Sequence, residues 1–314
     1  MINLSEQIAN LSEYFGIRSR HYYHAHTPST YDPLDPLAYY VDETDRAGYE
    51  RKFDGDGIPL YVDSGLPVYL PVFLCFWGLG HLEIYRKNKS EDSLSRFLKL
   101  ADWLVANQNG DGIWLNPLPN RKFGLLKPYP SAMVQGLAIS CLSRAGKITG
   151  ESRYQNASTA ALAAFGKDIR SGGVATRTGD RVFYEEYPSA ACPHVLNGFI
   201  YAMWGLWDLA RDGNAEAKAR YHEGFKSFVE WLPKYDMGYW SRYHISNGPD
   251  NPATLHYHRL HCDQLTVMYQ ISGNEVVREY RDRWLEYLAN RWNPLRTLAK
   301  KLRWRFFYSG TAES

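Results

Sequence analysis

The chain has 314 residues, 45% of them hydrophobic and 22% charged, with a net charge of +2; this is ample material for one large core, and the near-neutral balance argues against nucleic acid as a partner. The unusual feature is the content of 24 Tyr and 10 Trp, side chains whose apolar faces and polar edges suit sugar rings as well as cores. Four scattered cysteines, Cys75, Cys141, Cys192 and Cys262, form no CxxC pair; they support neither a disulfide framework nor a zinc site and read as buried free thiols.

In chain order, residues 1–65 form a first region rich in Pro, Asp and Tyr, typified by Thr27-Pro28-Ser29-Thr30-Tyr31-Asp32-Pro33 and ending in Asp54-Gly55-Asp56-Gly57-Ile58-Pro59. Turn residues of this kind predict an irregular arm with a hairpin. Met1 to Arg18 is amphipathic, without the apolar core of a signal peptide, which makes a cytoplasmic location the default. His24 and His26 lack a nearby carboxylate and read as surface or packing residues, so no metal is expected. The apolar run Leu66–Leu82 contains Pro67 and Pro71 and does not suit a membrane span.

Residues 66–314 carry a helical period in four pairs: Pro71–Lys87 with Glu91–Gln108, Ser131–Ile148 with Ser152–Arg170, Ala190–Arg211 with Asn214–Leu232, and His258–Ser272 with Asn274–Trp292. The first member of the third pair is apolar nearly all round, as expected of an inner helix. The second alternates charged and aromatic residues, as expected of an outer one. The recurrence, roughly every 55–65 residues, predicts a mainly α fold. Its simplest form is an incomplete (α/α) toroid of about four helix pairs, with short β-hairpins at one end and the N-terminal arm over the open face. A plain superhelical solenoid is the competing topology.

Three segments between or entering these pairs are dense in ionisable and aromatic residues: Phe183-Tyr184-Glu185-Glu186-Tyr187-Pro188, Tyr239-Trp240-Ser241-Arg242-Tyr243-His244, and His256-Tyr257-His258-Arg259-Leu260-His261. Each alone has a plain structural explanation, as a hairpin end, a cation–π contact or a packed helix face. Their recurrence at equivalent positions favours a shared opening. Tyr, Glu, His and Arg together suit removal of a carbon-bound proton next to a carboxylate. A guanidinium such as Arg242 lowers a phenol from its free pKa of ~10 and meets the charge that builds on the carboxylate. Reprotonation from the other face would epimerise the carbon, and loss of a β-oxygen would eliminate. Glu186, Tyr187, Tyr239 and Tyr257 permit both.

At these residues the chain resembles the D-glucuronyl C5-epimerase family in its C-terminal helical domain. Similarity runs from about residue 55 to 290. It is carried by Pro128-Tyr129-Pro130-Ser131-Ala132-Met133, Tyr184-Glu185-Glu186-Tyr187-Pro188 with Val195-Leu196-Asn197-Gly198-Phe199, Tyr239-x-x-Arg242-Tyr243-His244, and Tyr257-His258-x-x-His261-x-x-Gln264-Leu265. The resemblance implies an isomerase that interconverts D-glucuronate and L-iduronate within a polysaccharide such as heparosan, without an organic cofactor. It also implies that Glu186 and Tyr257 act from opposite faces, that Tyr187 and Tyr239 assist, and that Arg242 holds the carboxylate. Asn197, Gln135, His258 and His261 complete the expected substrate-binding set. The residues flanking Tyr257 (His256, Arg259, Leu260, Cys262 and Asp263) depart from the animal motif, which leaves the identity of the glucuronate polymer open.

The remaining partner expectations are a homodimer and a weak membrane-surface contact through the tail Arg296–Phe307, which mixes Lys300, Lys301, Arg303 and Arg305 with Trp304, Phe306 and Phe307. A last helix packed on the domain is the simpler reading of that tail. The competing functions are a toroid-type polysaccharide lyase and a glycan-binding module that has lost catalysis.

Overall fold

A computed structural model of the chain describes residues 31–245 and 250–308 in backbone, and side chains as far as residue 300. His24, His26 and the tail side chains beyond Lys300 lie outside the described residues. A helical turn, α1 (Thr44–Ala47), precedes four helix pairs. They are α2 (Pro71–Asn88) with α3 (Glu91–Asn107), and α4 (Ala132–Thr149) with α5 (Ser152–Ala160) and α6 (Leu162–Gly166). After these come α7 (Leu196–Arg211) with α8 (Ala215–Tyr235), α9 (Leu255–Ser272) with α10 (Glu275–Ala289), and then α11 (Trp292–Tyr308).

Local chemistry sets the turn inside each pair. Lys89, Gly150 and Gly273 take positive φ at the ends of α2, α4 and α9, where their N–H groups donate to the carbonyls of Tyr85, Gly146 and Tyr269. Ser90, Asn214 and Asn274 then cap the helices that follow, accepting from the N–H groups of Ser93, Ala217 and Val276. Helix is therefore reversed within a few residues, which forces each pair to be antiparallel.

Between pairs run antiparallel hairpins: β1 (Tyr61–Asp63) with β2 (Leu66–Val68), β3 (Leu115–Asn116) with β4 (Tyr129–Pro130), β5 (Ala175–Thr178) with β6 (Arg181–Tyr184), and β7 (Arg242–His244) with β8 (Asn251–Pro252). Each hairpin leads into the start of α2, α4, α7 or α9. These four helices pack side by side in chain order, with α3, α5, α8 and α10 outside them. The centre is the contact of α4 with α7, both buried along most of their length. Glycine makes it possible: a Cβ on Gly136 would strike the backbone of Tyr201 and Ala202, and one on Gly205 would strike Gly136 itself.

The described part of the arm, from residue 31, packs against these helices. Tyr40 stacks on Trp204 at 4.6 Å and its hydroxyl donates to Asp208 at 2.8 Å. Asp208 is fully buried with Arg144, whose guanidinium also donates to the carbonyls of Leu37 and Ala38. One turn later α1 docks on α2 at Gly80, where a Cβ would meet the backbone of Glu43 and Ala47.

Two boundaries differ most from the periodicity. The third inner helix starts at Leu196 and not at Ala190, because Cys192 and His194 hold positive φ on either side of Pro193. The second outer helix breaks at Ala161 and stops at Gly166, short of Arg170. All four cysteines are unpaired, and three are buried. No described helix is long and apolar enough to cross a membrane.

Candidate active site

A cavity of about 310 Å³ opens where the hairpins meet the starts of α4, α7 and α9. Glu186, Tyr187, Asn197 and Tyr257 line it, so the structure gathers four of the nine expected site residues from three separate stretches of sequence.

The end of β6 turns its two glutamates in opposite directions. Glu185 is fully buried on the hairpin side: its carboxylate accepts from the Thr176 hydroxyl at 2.9 Å and the His194 N–H at 3.1 Å, and contacts His194 Nδ1 at 2.6 Å. It anchors the loop that leads into α7. Glu186 faces the cavity. Its Oε2 has no hydrogen-bond partner among the described residues, and its carboxyl is hydrogen-bonded to the neighbouring Tyr187. Burial pushes the Glu186 carboxyl up to about 7, against smaller opposing effects of Tyr187 and the Lys122 ammonium. Such a group exchanges protons readily at neutral pH.

Gly198 makes room for it. A Cβ there would collide with the Glu186 side chain, so the carboxyl lies against the first turn of α7, beside the helix end where peptide dipoles favour an anion. Asn197, the preceding residue, presents an Oδ1 that likewise lacks a partner among the described residues, while its carbonyl accepts from Gln264 at 3.1 Å.

Tyr187 stacks on Phe123 with ring centres 4.7 Å apart. Burial, followed by the field of Glu186, holds its phenol well above the usual range. The expectation of a tyrosine acidified by arginine is therefore reversed at this position, and the Tyr187 phenol stays protonated at neutral pH. Tyr257 enters from the first turn of α9, which Thr254 caps. Tyr243 of β7 packs on it at 4.7 Å between rings and is hydrogen-bonded to it.

The other expected residues lie elsewhere. Arg242 is engaged outside the cavity: Nε donates to Asp250 at 2.8 Å, and Nη1 to the carbonyls of Lys234 and Asp236 at 2.6 and 3.0 Å. Tyr239 is buried with Trp240, Ala253 and Leu255, and the Arg296 guanidinium covers its ring at 3.7 Å. His258 stacks on Trp240 at 3.7 Å and bridges Ser241 Oγ to the Trp284 carbonyl; His261 reaches the same Ser241 Oγ at 2.9 Å. Burial lowers the pKa of both histidines, His258 to about 3, so both are neutral struts of the β7 hairpin. Gln135 spends its amide on the backbone of Trp114, accepting at 3.4 Å and donating at 2.9 Å.

Arg46 was missed by sequence reasoning. It lies in α1, lines the cavity, is almost wholly buried, and places its Nε 3.2 Å from Glu43. Its local sequence, Thr44-Asp45-Arg46-Ala47, carries no motif. Only the docking of α1 on Gly80 brings it to the site. Asn116, Tyr129 and Tyr201 also line the cavity. Tyr129 stands in the Pro-Tyr-Pro-Ser motif that carries the family resemblance, the signal that could have placed it at the site.

A family model described as the D-glucuronyl C5-epimerase C-terminus matches residues 118–286, more than half of the chain. A D-glucuronyl C5-epimerase of Caenorhabditis elegans is 35% identical over 231 residues, which cover 66% of this chain and 38% of that protein, so the chain spans little more than a third of this relative's length. An uncharacterized protein of Methanocaldococcus jannaschii is 29% identical over 228 residues, covering 68% of this chain and 73% of its own. The fold is similar to that of cellobiose 2-epimerase from Bacillus thermoamylovorans, with a TM-score of 0.56 at 11% identity over 76% of this chain and 66% of that one. The matched segment contains Glu186, Tyr187, Asn197 and Tyr257 as the cavity assembles them, and the chain belongs to the D-glucuronyl C5-epimerase family.

Proposed function

We propose that the chain is a uronate C5-epimerase acting on a glucuronate-containing polysaccharide, and that its four helix pairs form an incomplete (α/α) toroid with the active site at the hairpin end. The observation that carries the reading is Glu186: a buried carboxyl whose pKa is pushed up to about 7, with Oε2 unpartnered among the described residues, in one cavity with the phenol of Tyr257.

In this reading the Glu186 carboxylate takes the C5 proton of glucuronate. The electron pair left on C5 spreads into the adjoining carboxylate, where Arg46 meets it with a charge-assisted contact. Tyr257 delivers its hydroxyl proton to C5 from the other face, giving iduronate. Tyr243, hydrogen-bonded to Tyr257, orients that hydroxyl. Solvent then returns a proton to Tyr257 and removes the one on Glu186. Tyr187 donates to Glu186 and keeps it placed. The carboxylate-holding role passes from Arg242 to Arg46, since Arg242 is committed to Asp250 and two backbone carbonyls. Tyr239, Gln135, His258 and His261 act through the hairpins they brace. The reaction needs no organic cofactor.

Incubation with heparosan in deuterium oxide, followed by NMR, tests this. An epimerase introduces deuterium at C5 and iduronate signals; a lyase yields an unsaturated, ultraviolet-absorbing end; a binder leaves the polymer unchanged. If Glu186→Gln and Tyr257→Phe both kept near-full exchange, the assignment would be abandoned.

A further inference from the structure

The start of α9 carries two neighbouring stripes. His256, Tyr257 and Leu260 face the catalytic cavity, while Leu255 and Arg259 face a second depression of about 570 Å³. Its far wall is supplied by Arg291, Trp292 and Leu295, at the start of α11 and just before it. Helical geometry sets the Leu255–Arg259 stripe about 100° around the axis from His256–Leu260, so the two hollows share one helix as their partition, about 10 Å thick.

The lining has a definite chemistry. Trp292 is 64% exposed, an unusual position for an indole, and Arg291 stands 5.4 Å over its ring. Arg259 lies in the wall shared with the catalytic cavity. Among the described residues the walls hold two arginines and no acidic residue. Asp263 interacts electrostatically with Arg259 but does not line the depression. An exposed indole in a depression lined by two arginines fits a sugar ring that bears a carboxylate.

We propose that this depression is a second binding subsite for the same polymer. A pyranose ring lies on Trp292, and the carboxylate of another uronate, beyond the one being epimerised, is held by Arg259 and Arg291. The proposal rests on the uronate-polymer reading for its ligand but not for catalysis. A chain leaving the cavity past Tyr257 crosses α9 and enters the depression with its next acidic residue.

The test is a tryptophan-fluorescence titration of the full chain with heparosan oligosaccharides from disaccharide to octasaccharide, beside Arg259→Gln/Arg291→Gln and Trp292→Ala. All three positions line an open surface depression, and thermal melts check that the variants fold. The wild type is expected to bind the octasaccharide about tenfold or more tighter than the shortest ligand. Both variants should lose that gain. KM on polymer should rise by a similar factor while kcat for C5 deuterium exchange stays put.

The proposal is overturned if the variants match the wild type at every length, or if the wild type has no affinity for heparosan. It is also overturned if they lose only flotation with phosphatidylserine-containing vesicles, which would make the face a membrane contact. Length-dependent, arginine-dependent binding without any C5 exchange would keep the subsite and remove the epimerase reading instead.

Discussion

The Glu186 side chain lies against Gly198, in the first turn of α7, on ground that any larger residue would occupy. The two come from motifs separated by the loop that Glu185 and His194 pin in place. Gly198→Ala is therefore expected to displace the carboxyl while leaving the rest of α7 helical, since alanine is the better helix former. A misplacement of about 1 Å costs roughly 100-fold in rate. Deuterium exchange at C5 should fall by about that factor, with unchanged far-ultraviolet circular dichroism. Retention of full exchange would separate Glu186 from the chemistry.

Glu186 also gives a pH dependence with a definite sign. As the proposed base it must be ionised, so exchange should rise as pH passes upward through about 7, and Glu186→Gln should lose about 100-fold or more. Stability runs the other way. The carboxyl ionises near 4.5 when unfolded and near 7 when folded, so folding takes up a proton between those values and stability falls as pH rises through that window. Glu186→Gln should remove this penalty and stabilise the chain by on the order of 2 kcal/mol at pH 8, with little change at pH 4. Glu43, raised to about 7 by the same burial, continues to titrate in the variant, so part of the slope persists. Urea melts across pH would show it.

The helix pairs and hairpins were legible in the sequence because period, caps and glycine turns all repeat. The start of α7 was not, since positive φ at Cys192 and His194 is a tertiary outcome of the Glu185 anchor and carries no local signature. At the site, Glu186, Tyr187, Asn197 and Tyr257 were legible as motif residues on consecutive elements. Arg242 looked equally functional, but its partners are the side chain of Asp250 and two carbonyls at the end of α8, which no spacing announces. Arg46 had the opposite fate. Its position depends on a close backbone approach at Gly80 in another element.

If Arg46 holds the uronate carboxylate, its loss should weaken binding and the transition state together. Arg46→Gln alone would leave buried Glu43 without the guanidinium that contacts it. The cleaner variant is Glu43→Gln/Arg46→Gln, with Glu43→Gln as its control. A charged hydrogen-bonded contact is worth roughly 1.5–3 kcal/mol. The double variant should accordingly lose about 10- to 100-fold in kcat/KM on heparosan, while the control keeps most of its activity. Equal losses in both would point to packing of α1 as the cause.

The arm that delivers Arg46 depends in turn on a fully buried ion pair. Arg144 contacts Asp208 at 2.7 Å and also donates to the carbonyls of Leu37, Ala38 and Ser140; Asp208 further accepts from Tyr40 and Ser140. Truncating one member leaves the other charge buried and unpaired, at a cost of about 3–5 kcal/mol. Arg144→Ala should therefore lower the urea midpoint sharply. Asp208→Asn/Arg144→Met, which removes both charges, should cost clearly less than the sum of its single changes. Because the released carbonyls precede α1 by only a few residues, the double variant should also raise KM on heparosan more than it lowers kcat. That split would identify the pair as a device for placing Arg46, whereas a change in stability alone would confine it to the core.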